Sequence, residues 1–178
     1  IPVISAVGVP ALWNSRARLA GDSGLHIARI EHLLRRYGTL IHELLALIAE
    51  EPSLGEPLQG APDYLRAEIH YGASHEGARH LDDLLARRTR ISIETFDRGL
   101  GVAREAANIA GAVLGWSTED VDREVQHYEA RVAAERESQE QPDDSTADAA
   151  RLGAPDVRLA QLIRPPRAGG QRSTMSSV

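Results

Sequence analysis

The chain has 178 residues, 42 % of them apolar and only 4 % aromatic, with a formal net charge of −6. That length suits one domain with an aliphatic core. An acidic surface without a basic stripe excludes nucleic acid as a partner, and the lack of cysteine removes disulfides and thiolate chemistry. All 20 basic residues are arginine, which fits the codon bias of a GC-rich genome. No apolar run approaches the roughly 20 residues of a membrane span; the longest is Leu44–Ala49. The apolar N-terminus lacks a leading basic residue and is interrupted by Pro2 and Pro10, so it does not read as a signal peptide. A start at Ile1 rather than Met suggests a piece of a longer protein.

Residues 1–23 read as an extended arm. Ser23 is placed to cap a first helix whose Ile27, Ile30, Leu34 and Tyr37 keep three–four spacing, with Gly38 ending it. A second helix follows, with Leu40, Ile41, Leu44, Leu45, Leu47 and Ile48 over more than half its surface. Neighbours on two faces, one of them outside this chain, are needed to cover it. The stretch 51–62, EPSLGEPLQGAP, is a loop. A third helix is predicted from Pro62 and Asp63 to a break at Gly72 and Ser74. Ser74 would cap a fourth over about 75–88, with Gly77, Leu81, Leu84 and Arg88 in one stripe.

The run ISIETF (91–96) reads as a short extended segment, and Asp97 as the cap of a fifth helix with Leu100, Ala103, Ala107, Ala110 and Leu114 on its face. Gly115 ends that helix and Trp116 closes the corner. Ser117 or Thr118 starts a sixth, carrying a narrow Val121–Val125–Tyr128–Val132 stripe and a Glu119–Arg123 pair. The remainder, 138–178, is rich in polar residues, Pro, Gly and Ser and is predicted to be disordered. The expected fold is all-α: about six helices over 24–137.

His75-Glu76-Gly77-Ala78-Arg79-His80 looks like a metal motif, but two ligands on one helix face must be four apart, and here that position is Arg79. His70 could be added only without a fixed geometry. The histidines and Glu76 therefore read as a solvated face, with Glu76–His80 and Asp83–Arg87 pairs. Gly99-Leu-Gly101 supplies two of the three glycines of a dinucleotide fingerprint, the third position being Arg104. Arg87-Arg88-Thr89-Arg90 is a candidate anion site split by helical phase. Arg88 continues a buried stripe and needs a partner, and so does Glu68, lying between Leu65 and Ile69. A Glu68–Arg88 ion pair is the predicted structural site; no catalytic, cofactor or metal residue is assigned.

The segments Tyr64-Leu65-Arg66-Ala67-Glu68, Glu76-Gly77-Ala78-Arg79 and Asp82–Arg90 (DDLLARRTR), with Leu114-Gly115-Trp116 and the upstream His32–Gly38, resemble the C-terminal helical domain of FAD-dependent glycerol-3-phosphate dehydrogenases, the respiratory flavoenzymes. The resemblance covers roughly 24–137 and extends to the arm at 1–23. It implies a larger enzyme that oxidises sn-glycerol 3-phosphate to dihydroxyacetone phosphate, reduces FAD and passes electrons to a membrane quinone. Flavin and substrate groups would belong to an N-terminal domain that this sequence lacks. The implied role here is a non-catalytic cap on that flavin domain, cytoplasmic, without FAD of its own, which could also shape a homodimer contact. The rival readings are a stand-alone helical module dimerising through the Val121–Val132 stripe and a small metal-dependent enzyme built on the histidines.

Overall fold

The structure, a computed structural model, describes residues 8–154. The described chain is almost entirely helical: α1 (Val9–Asn14), α2 (Arg16–Ser23), α3 (Ile27–Tyr37) and α4 (Ile41–Glu50) precede a small hairpin, β1 (Pro57–Leu58) and β2 (Ala61–Leu65). Then come α5 (Arg66–Ser74), a π-turn over Asp83–Arg88, α6 (Ile91–Glu94), α7 (Leu100–Leu114), α8 (Thr118–Gln139) and α9 (Asp144–Leu152).

Buried apolar residues form two clusters. The first joins Leu19, Ile30, Leu33, Leu34, Ile41, Leu44 and Leu54 with Leu65, Ala67 and Tyr71. The second joins Ile69, Ala73, Leu81, Leu84 and Leu85 to the faces of α7 and α8. Helix α5 is short but serves both, because Ala67 and Tyr71 leave one side of it and Ile69 and Ala73 the other. This is what a helix flanked on two sides requires of its sequence.

The predicted arm is helical over residues 9–23, and the chain before Gly8 lies outside the described residues. Leu12, Trp13, Leu19 and Ala20 join the first cluster, with α1 and α2 lying against α3. Among the large apolar residues of the first two predicted helices only Ile27 is exposed, while Leu40, Leu45 and Leu47 are half-buried.

The third predicted helix starts later than Pro62. Residues 61–65 pair antiparallel with β1 around a turn at Gly60 (φ +87), and Gln59 N–H donates to Glu105 on α7 at 2.8 Å. Gly72 lies within α5 and marks a close crossing: a Cβ there would stand 2.8 Å from Leu84 Cδ2. The predicted fourth helix is broken by Gly77 in a left-handed conformation (φ +69), and the chain winds again only from Leu81, as a wide turn in which Thr89 N–H and Oγ1 both donate to the Leu84 carbonyl. The 91–96 run is a one-turn helix, not an extended segment.

The Val121, Val125, Tyr128 and Val132 stripe is buried in the second cluster, so it cannot be a dimer seam. Part of the predicted tail is ordered: α8 runs to Gln139, and α9, capped by Asp143 through Ser145 and Thr146 N–H, buries Ala147 beside it. The rest of that prediction, 155–178, falls outside the described residues.

Candidate functional site

Glu68 is fully buried at the third position of α5, where its Oε1 accepts the Leu65 N–H at 3.0 Å and so caps the helix. Its remaining capacity is met by α3: His32 Nε2 lies 3.0 Å from Oε1, and the Tyr37 hydroxyl donates to Oε2 at 3.1 Å. Arg36 Nε stands 3.3 Å from Oε2, close enough for charge attraction though not aligned as a hydrogen bond. The other Arg36 nitrogens donate to the Tyr64 hydroxyl (3.2 Å) and to the Arg88 carbonyl (2.9 Å), and the guanidinium lies over the Tyr64 ring. The Tyr64 hydroxyl in turn donates a hydrogen bond to Glu94 at 2.6 Å.

One network thus stitches α3, α5, the π-turn and α6 together. Burial pushes the Tyr37 hydroxyl up, helped by Glu68, and the Tyr64 hydroxyl is raised by burial and by its bond to Glu94. Burial alone would lower Arg36, but Tyr64, Glu68 and Tyr37 more than offset it, so its charge is held.

The sequence pointed to Arg88 as the cation for Glu68. The ion pairs that Glu68 makes are to Arg36 and His32, while Arg88 Nε donates to the Glu76 carbonyl at 3.2 Å. Arg88 meets Glu68 only through Arg36, which bonds its main chain. The signal missed was the His32–Arg36 spacing of four beside Tyr37, which puts two basic groups on the flank of α3 that faces α5.

The rest of the arginine run is held by neighbours: Arg87 by Asp83 (2.6 Å) and Asp82 (3.5 Å), Arg90 by Glu94 (3.8 Å). The Asp83–Arg87 pair is the one the spacing predicts.

The histidines diverge. His70 and His75 flank the Ser74 hydroxyl, His75 also stacking on Tyr71 at 4.7 Å. His80 is buried instead of solvated, its Nδ1 lying 3.0 Å from Glu124 Oε1, while Glu124 Oε2 accepts the Leu81 N–H. Among the described residues no three His, Asp or Glu side chains are grouped to hold a metal ion. Arg123 pairs with Asp120 (2.5 Å) rather than with Glu119.

A shallow cleft lined by Asp82, Ser92, Arg98, Tyr128, Arg131 and Glu135 has its charges matched internally. Arg131 pairs with both Asp82 and Glu135, and Arg98 lies 2.8 Å from Glu135. Nothing there activates a nucleophile or positions an acid beside a base.

The Gly99–Gly101 segment does not suit a dinucleotide. Asp97 accepts the Gly99 and Gly101 N–H groups at 3.0 and 2.6 Å, so a carboxylate already stands where a pyrophosphate would have to lie. Burial would raise that carboxyl, but these main-chain bonds hold it below the usual range.

No described helix is long and apolar enough to cross a membrane. No solved structure matches the chain. Among curated proteins it is 50 % identical over 165 residues to the glycerol-3-phosphate dehydrogenase of Mycobacterium leprae, and 49 % identical over 165 residues to glycerol-3-phosphate dehydrogenase 2 of Mycobacterium tuberculosis. Each match covers 93 % of this chain but 28 % of the relative. A more distant relative, the glycerol-3-phosphate dehydrogenase of Synechocystis, is 31 % identical over 59 % of the chain and 19 % of its own length. Residues 2–121 match the model of the C-terminal domain of alpha-glycerophosphate oxidase. With a helical fold, a network built for internal support and this match over most of its length, the chain belongs to that C-terminal domain family.

Proposed function

We propose that the chain is the non-catalytic C-terminal domain of an FAD-dependent glycerol-3-phosphate dehydrogenase. The complete enzyme converts sn-glycerol 3-phosphate and a quinone to dihydroxyacetone phosphate and quinol. The observation that carries this is the 49–50 % identity to two mycobacterial glycerol-3-phosphate dehydrogenases across 93 % of the chain.

The arrangement of charged groups supports a structural part. The charged clusters described above are paired among their own residues, and the glycine pair that resembles a phosphate cradle is filled by Asp97. On this reading FAD belongs to the preceding domain, which this domain covers and stiffens. The enzyme works on the cytoplasmic side, peripheral to the inner face of the cell membrane, where it meets its quinone.

The test is an assay of the complete polypeptide with sn-glycerol 3-phosphate and a soluble quinone analogue, alongside this 178-residue chain alone. Substrate-dependent quinone reduction with flavin absorbance is expected from the first and neither signal from the second. A complete polypeptide that binds FAD yet leaves sn-glycerol 3-phosphate untouched would refute the assignment.

A further inference from the structure

Four large apolar side chains stand exposed on the described surface: Ile27, Ile93, Phe96 and Leu152. Ile93 (68 % exposed) and Phe96 (fully exposed) share one knob, and Phe96 is the only phenylalanine in the chain. Single exposed apolar residues are ordinary. This pair differs in how stiffly it is mounted.

Ile91, fully buried, roots the knob in the second cluster. Thr95 Oγ1 donates to the Ile91 carbonyl at 2.8 Å, the Tyr64 hydroxyl to Glu94 at 2.6 Å and the Tyr128 hydroxyl to the Arg98 carbonyl at 2.6 Å. Asp97 ties the exit to α7. The knob is bounded by Arg90 (φ +68) and Arg98 (φ +58), the two non-glycine residues in left-handed conformations among those described. Such residues cost on the order of 1 kcal/mol each and persist only where the surroundings over-determine them. A backbone so constrained presents an aromatic side chain wholly in water with little main-chain freedom left to lose on contact, which favours an anchor.

The occupant is set by area and position. Two such side chains offer at most about 400 Å², well under the roughly 800 Å² per partner of a stable interface between separate proteins. A tethered neighbour needs far less, because its effective concentration is already in the millimolar range. Gly8, the first described residue, sits beside the turn after α3, where a Cβ on it would lie 3.8 Å from Thr39 Cγ2; the last turn of α3 reaches Arg88 and Tyr64 through Arg36, and Tyr64 bonds Glu94 of the knob. Most of the length of the mycobacterial relatives lies outside the matched stretch, which is 28 % of them.

We propose that Ile93 and Phe96 plug an apolar socket on the preceding domain of the same polypeptide. This rests on the reading of the chain as the C-terminal domain of a longer enzyme, and it names the side chains that join the two parts.

Hydrogen exchange of the 92–98 amides, followed in the 178-residue chain and in the complete polypeptide, tests it. Exchange is expected to be roughly 30-fold slower in the complete polypeptide, as for a hot-spot anchor. The Ile93→Ser/Phe96→Ser double variant should abolish that protection while leaving the melting temperature of the 178-residue chain nearly unchanged, since Phe96 is fully and Ile93 mostly exposed. Equal exchange rates in the two settings overturn the proposal. So does protection in the 178-residue chain that grows with its concentration, which would assign the knob to a second copy. Oxidation of sn-glycerol 3-phosphate is assayed on the same preparation. Activity without protection removes the plug alone, and protection without activity removes the enzymatic reading and keeps the plug.

Discussion

Glu68 illustrates how a buried charge is tolerated: it caps α5, accepts a hydrogen bond from the Tyr37 hydroxyl and faces two basic groups on α3. Glu68→Leu would leave Arg36 partly desolvated without its carboxylate, at a cost of about 3–5 kcal/mol in urea unfolding. The Glu68→Leu/Arg36→Met double variant should recover much of that loss, because replacing a whole buried pair by apolar residues is often near neutral. An equally unstable double variant would show that the carboxylate matters as a cap more than as a counter-ion. Glu76 is the opposite case. Its Oε2 is buried without a hydrogen-bond partner among the described residues, and burial raises its carboxyl despite Arg88 and Arg36. A raised carboxyl means the folded state keeps a proton that the unfolded chain gives up, so stability falls as pH rises above the ordinary carboxylate range. Glu76→Gln should therefore raise the melting temperature at pH 7 and leave it unchanged below about pH 4, where both states are protonated.

At the scale of elements, close approach decides more than propensity. At Gly72, α5 and the π-turn nearly touch; Gly72→Ala would drive a methyl into Leu84 and destabilise by about 1–3 kcal/mol, although alanine is the better helix former. A gain in stability on that substitution would mean that Leu84 can swing aside. The same crossing shows why the elements were only partly legible. The regular three–four spacing of α3, α4, α7 and α8 gave those helices near their observed places. Gly72 looked like a helix breaker because sequence records the missing side chain and not the neighbour filling its space. Pro62 suited a first helical turn, yet the turn at Gly60 and pairing with β1 kept 61–65 extended until Glu68 could cap the helix. The site was legible in kind only: a buried Glu68 needing a cation could be read from its place between Leu65 and Ile69, but the choice of Arg36 depended on how α3 crosses α5, which no local pattern encodes.

At the scale of the whole molecule, two apolar clusters share one short helix, and each holds one of the two tryptophans, Trp13 in the first and Trp116 in the second. Because α5 contributes to both, neither cluster can open without stripping the other of its wall. Single-tryptophan variants, Trp13→Phe and Trp116→Phe, should consequently report one midpoint in urea, with coincident fluorescence transitions. Midpoints that separate would show two units joined by a passive linker.

The four tyrosines, Tyr37, Tyr64, Tyr71 and Tyr128, each donate a hydroxyl hydrogen bond to a fixed oxygen: Glu68, Glu94, Glu43 and the Arg98 carbonyl. Burial, the largest influence on all four, pushes their ionisation upward. In alkali the unfolded chain would shed these protons near pH 10 while the native one keeps them, so stability drains away above that point. The phenolate band in the near ultraviolet should then stay dark through the native range and rise in a single late step, making its onset a built-in optical gauge of collapse.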